Sequence, residues 1–153
     1  MKPFRVISSL VLFLAIAAPA VAQEHWTEGP VWIISYYRTR PGQFDNYMKY
    51  LRANVLPQNA EAKRQGLVLD DKMYVKAPGG KDDWDVAFAT LYPSAAKALD
   101  FNKADDDKER TIAAQHYKTT DRDKQTQSSA PRLEMRDFIR TEIVREISLR
   151  PMP

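Results

Sequence analysis

The hydrophobic positions along the chain follow two periods, which predict where strands and helices lie. Residues 31–39 are apolar on both alternating faces until the last positions, a pattern typical of a strand that is covered on both sides. Apolar residues then recur every three to four positions from Phe44 to Gly66, which predicts an amphipathic helix. Residues 23–30, before the strand, are mostly polar and predict a loose lead-in.

A proline lies inside this predicted helix. Pro57 has no backbone N–H, and its ring clashes with the carbonyl four residues earlier, so we predict a kink near Val55 or Leu56. The bend has two explanations, a helix that makes room for a pocket or an adjustment of packing. Gly66 suits the position just after the helix, where a left-handed backbone favours glycine.

The alternating pattern returns in three later segments. Residues 67–77 and 84–92 predict two strands joined by a turn, and residues 142–149 predict a last strand. A short helix is predicted over residues 93–101, where Pro93 suits an early helical position. The order β-α-β-β-α-β predicts an α+β, ferredoxin-like protomer with an antiparallel sheet and helices on one face.

A charged insertion precedes the last strand. Residues 102–131 are rich in Asp, Lys, Gln, Thr and Ser and contain few side chains that could be buried. We predict a helix over about residues 105–117 and a mobile loop over residues 118–131. Helical spacing resumes faintly from Leu133 to Ile139.

The N-terminal segment has the features of a secretory signal peptide. Lys2 and Arg5 precede an uncharged run, and small residues lead to a cleavage site that we predict after Ala22. The apolar run is shorter than the roughly 20 residues that span a bilayer, so we expect no membrane attachment after cleavage. The mature chain, residues 23–153, would then be a single periplasmic or secreted domain.

Charge and cysteine content exclude some functions. Two of the 23 basic residues lie in the predicted signal, so the mature chain would carry 21 basic against 20 acidic residues. This near-neutral balance argues against a general electrostatic grip on nucleic acid. The sequence contains no cysteine, which excludes thiol catalysis, thiolate metal sites and disulfides.

Few residues suggest a reaction. His116 could transfer a proton or ligate a haem, and its alternative is a surface or structural role. Tyr37 is a second candidate for catalysis. No metal site is predicted, because the acidic run 105–107 fits the first turn of a helix.

The aromatic residues are the more suggestive set. They fall on the elements that would enclose a cavity between sheet and helices, and Tyr and Trp offer apolar area with one polar group. The alternative is that they form the core and a dimer interface. The predicted ligand-binding residues are Tyr36, Tyr37, Tyr47, Trp84 and Phe88.

Three segments carry a resemblance to a known superfamily. They are residues 32–47, which join the first strand to the helix, residues 84–93, and the closing residues 143–147. In these segments the chain resembles the dimeric α/β-barrel superfamily, which includes NIPSNAP, EthD-like proteins and antibiotic-biosynthesis monooxygenases, and it looks most like the secreted bacterial members. The resemblance implies that two sheets pack face to face across a dimer axis, which would cover the second face of the first strand. It also implies a pocket between each sheet and its own helices.

The resemblance does not select a reaction, because one fold hosts many activities. We expect a homodimer that binds a small, partly apolar or aromatic molecule and needs no cofactor. One alternative is an enzyme, either a cofactor-independent monooxygenase or isomerase or a haem-handling protein. Another is a structural or interaction protein that uses the loop 118–131 as its contact surface.

Overall fold

A computed structural model describes residues 25–80 and 82–152. The described chain is an α+β unit with one four-stranded antiparallel sheet. This architecture is compatible with the predicted ferredoxin-like fold. The predicted signal peptide, residues 1–22, lies outside the described residues. The strands are β1 (Trp26–Thr39), β2 (Asp70–Val75), β3 (Val86–Tyr92) and β4 (Arg136–Leu149). They lie in the sheet in the order β2-β3-β1-β4.

Helices connect the strands. The crossover from β1 to β2 is one long helical segment that contains a π-helical turn, and the connection from β3 to β4 holds the remaining helices. The helices are α1 (Phe44–Tyr50), a π turn (Leu51–Val55), α2 (Leu56–Arg64), α3 (Ala95–Leu99), α4 (Lys103–Tyr117), α5 (Arg122–Ser129) and α6 (Pro131–Met135).

The outer part of β1 corrects a prediction. Residues 23–30 were expected to be a loose lead-in, but the strand begins at Trp26, which pairs with Leu149. Polar side chains connect this end of β1 to β4, since Glu28 forms an ion pair with Arg145. The register of β1 and β4 shifts between Glu28 and Val31. The intervening Gly29-Pro30 cannot keep a regular ladder, because proline has no N–H to donate.

A π-helical turn precedes Pro57, in the region where the sequence predicts a kink. The π turn ends at Val55, next to the predicted position of the kink. Side-chain amides bind carbonyl groups in this region: Asn54 Nδ2 donates to Tyr50 O at 3.1 Å, and Gln58 Nε2 donates to Asn54 O at 2.7 Å. These bonds help to satisfy carbonyl groups where the regular helical pattern changes.

The insertion is more ordered than the sequence predicts. Residues 118–131 were expected to be a mobile loop, but residues 122–129 form α5, and α6 follows. Asp121 caps α5, because its Oδ1 accepts from the backbone N–H groups of Asp123 and Lys124 at 2.9 and 3.3 Å. The helical spacing expected as far as Ile139 stops at Met135, and β4 begins at Arg136.

The helices pack against one face of the sheet. Val86 of β3 is fully buried against Tyr47, Tyr50 and Leu51. A second buried cluster joins Leu67, Val68 and Ile112 and includes Ala62 and Tyr92 at its edge. Ile112 is the one buried residue of α4, so the insertion contributes directly to the core.

The opposite face of the sheet, which we call the open face, carries a row of large rings. Cross-strand partners share a face, so the register places these side chains together. Within the described residues, their ring contacts come from the sheet and the β2–β3 hairpin: Lys72 lies 5.1 Å from the Trp32 ring, and Trp84 lies 5.2 Å from that of Tyr36. The open face comprises Trp32, Ile34, Tyr36, Tyr74, Trp84, Ala87, Ala89, Leu91, Arg140, Glu142 and Val144.

Candidate functional site

A cavity of about 250 Å³ lies between the sheet and helices α2 and α4; we call it the inner cavity. The turn at Gly66, whose φ is +71°, leads the chain from α2 back to the sheet and places Leu67 and Val68 in the cavity wall. The rest of the wall combines aliphatic and polar side chains. The lining residues are Gln58, Asn59, Ala62, Leu67, Val68, Thr90, Tyr92, Glu109 and Ile112.

Asn59 is the unusual polar group of this wall. Its Nδ2 atom is buried and has no hydrogen-bond partner among the described residues. Buried amide groups are almost always paired, because an unpaired one costs about 1–3 kcal/mol. Asn59 also lines the inner cavity, so its amide lies beside the space that a ligand would occupy.

Glu109 is the acidic residue of the inner cavity wall. Burial raises the pKa of its carboxyl group, and the nearby carboxylates Asp106 and Asp105 raise it further, while Lys97 opposes the shift. Burial also raises the pKa of Tyr92, with a smaller contribution from Glu109. The inner cavity therefore offers a neutral phenol and a carboxyl group that is protonated more readily than an ordinary glutamate.

A second cavity of about 350 Å³, which we call the outer cavity, adjoins the first. The two share Gln58 and Glu109 as wall residues. The outer cavity is polar and is formed mainly by α4, α5 and α6 of the insertion. Its other lining residues are Asp106, Arg110, Ala113, Tyr117, Arg122, Gln125, Thr126, Ser129 and Arg132.

His116 lies in a groove beside these cavities. The groove is lined by residues of α2 and α4 that include Pro57 and Ile112. His116 Nε2 is 3.2 Å from Asn54 Oδ1, and its ring meets the Tyr117 ring edge-on at 4.7 Å. With Nε2 held by an amide, this geometry gives no support to a haem-ligand role. Within the described residues, no cluster of three or more His, Cys, Asp or Glu side chains could bind a metal ion.

Tyr37 has different surroundings. Its ring packs edge-on against Tyr47 and Phe138, and the Arg136 guanidinium lies 3.3 Å from the ring centre. Burial raises the pKa of Tyr47 well above its ordinary value. This arrangement stabilises the packing of β4 against α1 through cation–π contact, and it does not join Tyr37 to His116.

The structure divides the five predicted ligand-binding residues between the two faces of the sheet. Phe88 pairs with Ser35 and so shares the helix side with Tyr37 and Tyr47. Tyr36 and Trp84 contact each other on the open face. The five therefore do not enclose one cavity.

Sequence reasoning missed Asn59 and Glu109. Helical spacing would have placed each on the apolar side of its helix, because Asn59 lies three residues before Ala62 and Glu109 three before Ile112. A polar residue in line with buried apolar ones is the signal that was overlooked. The cationic residues of the outer cavity give no such signal, since α5 has no buried residue.

Within the described ranges, no helix combines the length and the apolar character that crossing a bilayer requires. Comparisons of the chain with protein-family models, with curated proteins and with solved structures found no match. Function is therefore inferred from the geometry of the chain itself.

Proposed function

We propose that the protein is a secreted or periplasmic homodimer of the dimeric α/β-barrel kind, which binds a small, partly apolar molecule between its sheet and helices. The observation that carries the binding proposal is the inner cavity, whose wall includes Asn59 with a buried amide nitrogen that has no partner among the described residues. Small-molecule sites are typically apolar clefts with a few polar groups that fix orientation. The inner cavity combines aliphatic side chains, Leu67, Val68 and Ile112, with polar ones such as Asn59, and it shares two wall residues with the outer cavity.

Binding is better supported than catalysis. The two catalytic candidates lie in different surroundings. The Tyr37 ring packs against Tyr47 and Phe138, whereas the His116 ring contacts the Asn54 side chain. Asn59, Tyr92 and Glu109 line the same cavity, and their polar groups are suited to orienting a bound ligand. No described group near them forms a nucleophile–base pair of the kind that activates a reaction.

The open face supports the homodimer. Val144 and Tyr74 on this face are 44% and 47% exposed, while Ala87 and Ala89 between the larger side chains are almost fully buried. Exposed apolar patches of this kind mark interaction surfaces. A second copy of the sheet would cover the face that the apolar first strand leaves uncovered, as the resemblance to dimeric α/β barrels implies.

Native mass spectrometry of the protein purified from its own source tests the proposal. The expected result is a dimer that carries an additional small-molecule mass. A monomer without additional mass would refute both parts of the proposal, and an empty dimer would refute the binding part.

Two adjacent residues of β4 offer a matched test of the interface. Val144 lies on the open face, because it pairs with Trp32, while Ile143 lies on the other face and is 55% exposed. We expect Val144→Asp to shift the dimer toward monomer, since a charge would be buried in the interface. Ile143→Asp should leave the dimer intact. Light scattering after size exclusion distinguishes the outcomes, and equal behaviour of the two variants would exclude the open face as the interface.

A further inference from the structure

We infer that the ligand is an apolar acid, with its hydrocarbon or aromatic body in the inner cavity and its anionic group against Arg122 and Arg132 in the outer cavity. This inference rests on the proposed function and specifies the ligand class of the same site.

The first step is the contact between the two cavities. Gln58 and Glu109 line both of them, so one molecule can occupy both. Part of the inner cavity wall is aliphatic, formed by Leu67, Val68 and Ile112, and this part suits an apolar body. The outer cavity is walled by polar and charged side chains, which favours a polar or charged head group. A molecule that fits both must be amphipathic.

The second step is the charge of the outer cavity. Arg110 donates to Asp106 at 2.6 Å, so these two charges largely cancel. Among the residues that the structure describes, Arg122 and Arg132 have no carboxylate within ion-pair distance. Glu109 is the remaining acidic side chain of the wall. Two unpaired guanidinium groups against one carboxyl group leave this cavity positive, and guanidinium binds carboxylate with two parallel hydrogen bonds.

The third step concerns the neutral donors near these arginines, several of which already have partners. Gln125 Nε2 donates to Thr119 O at 2.7 Å, and Ser129 Oγ donates to Thr126 O at 3.0 Å. A neutral head group would therefore compete for donors that are already bonded. An anionic head group would use the two arginines, which have capacity left. The alternative occupant is a cationic amine directed to Glu109, and the experiment separates the two.

The test uses three compounds with one skeleton and is done on the full chain by isothermal titration calorimetry. They are 2-naphthylacetate, 2-(2-naphthyl)ethanol and 2-(2-naphthyl)ethylammonium, which are negative, neutral and positive at pH 7. We expect the acid to bind at least about tenfold more tightly than the alcohol, and the ammonium compound to bind most weakly. Tighter binding of the alcohol or the ammonium compound would overturn the inference and leave the binding proposal standing. Binding of none of the three would overturn the binding proposal itself.

Two variants locate the anionic group. Arg122→Gln and Arg132→Gln should each weaken binding of the acid by about fivefold or more while the alcohol binds as before. Unchanged binding of the alcohol also shows that the cavity is intact. Arg52→Gln is the control, because Arg52 is exposed on the π turn and lines neither cavity. Equal losses for the acid and the alcohol, or a loss with Arg52→Gln as large as the others, would overturn the assignment.

Discussion

Replacement of Asn59 by leucine should change stability and binding in opposite directions. The side chain of Asn59 makes no hydrogen bond within the described residues, and its buried Nδ2 is unpaired. An unpaired buried amide costs about 1–3 kcal/mol. Leucine removes this cost, and it also favours a helix over asparagine by a few tenths of a kcal/mol. We therefore expect the free energy of unfolding of the ligand-free protein to rise by about 1–2 kcal/mol.

Binding should weaken for ligands that offer Asn59 an acceptor. A suitable pair is 6-acetyl-2-naphthylacetate and 2-naphthylacetate, which differ by one carbonyl-bearing group. The wild type should prefer the acetyl compound by about fivefold to tenfold, the value of one hydrogen bond to a buried neutral donor. Asn59→Leu should lose this preference and bind the two compounds about equally. The comparison is a double-mutant cycle, so it isolates the Asn59–carbonyl contact from general effects on the cavity.

Urea unfolding followed by circular dichroism gives the stability, and calorimetry gives the affinities. Asn46→Leu is the matched control, because Asn46 is exposed on α1 and bonds only to Gln43 at 3.0 Å. It should change neither stability by more than a few tenths of a kcal/mol nor the preference for the acetyl compound. Loss of stability in Asn59→Leu would refute the reasoning, since it would mean that the amide has a structural partner. An unchanged preference would refute the role of Asn59 in binding.

Three further predictions concern the framework around the site. Asp85→Ala should lower the free energy of unfolding by about 1–3 kcal/mol, because Asp85 Oδ1 accepts a hydrogen bond from the buried Thr39 N–H at 2.9 Å. Urea titration measures the change, and a loss under about 0.5 kcal/mol would contradict the prediction. Hydrogen bonds from Lys76 and from the Gly79 N–H lower the pKa of Asp83 to about 2, so its stabilising effect is complete above its unfolded pKa and disappears as pH falls toward 2. Asp83→Asn should thus lower Tm at pH 7 but have little effect near pH 2, and a pH-independent difference would exclude this cause. Asp121→Ala should destabilise α5 by about 1 kcal/mol and raise amide exchange in residues 122–129; unchanged exchange would show that the cap is unimportant.

The central sheet could be predicted from the sequence because β1 contains a nearly continuous apolar run and the later strands carry alternating apolar positions. The sequence did not predict the outer end of β1, where Gly29-Pro30 breaks the pattern and polar side chains such as Glu28 pair across to β4. It also missed α5, because residues 122–129 contain no large apolar side chain that could show a helical period. This helix begins at an aspartate cap, a local signal that is weak without an amphipathic pattern.

The candidate site was less predictable than the fold. Alternation along a strand shows that Tyr36 and Tyr37 face opposite ways, but it does not show which of them meets the helices. The distribution of the aromatic residues between the two faces therefore had to come from tertiary contacts. The inner cavity likewise depends on the distance between Asn59 on α2 and Glu109 on α4, elements that are far apart in sequence. Packing of α4 against α2 brings them together, and no local pattern encodes that contact.

The shallow docking of α5 has a consequence for the rate at which a ligand exchanges. This helix forms part of the outer cavity, yet none of its side chains is fully buried. A segment that buries little apolar surface can detach locally at a small fraction of the free energy of global unfolding. Entry and release should therefore follow local opening of α5 while the sheet and α2 stay folded. Residence time and overall stability would then be separate properties of this protein, each open to selection without change in the other.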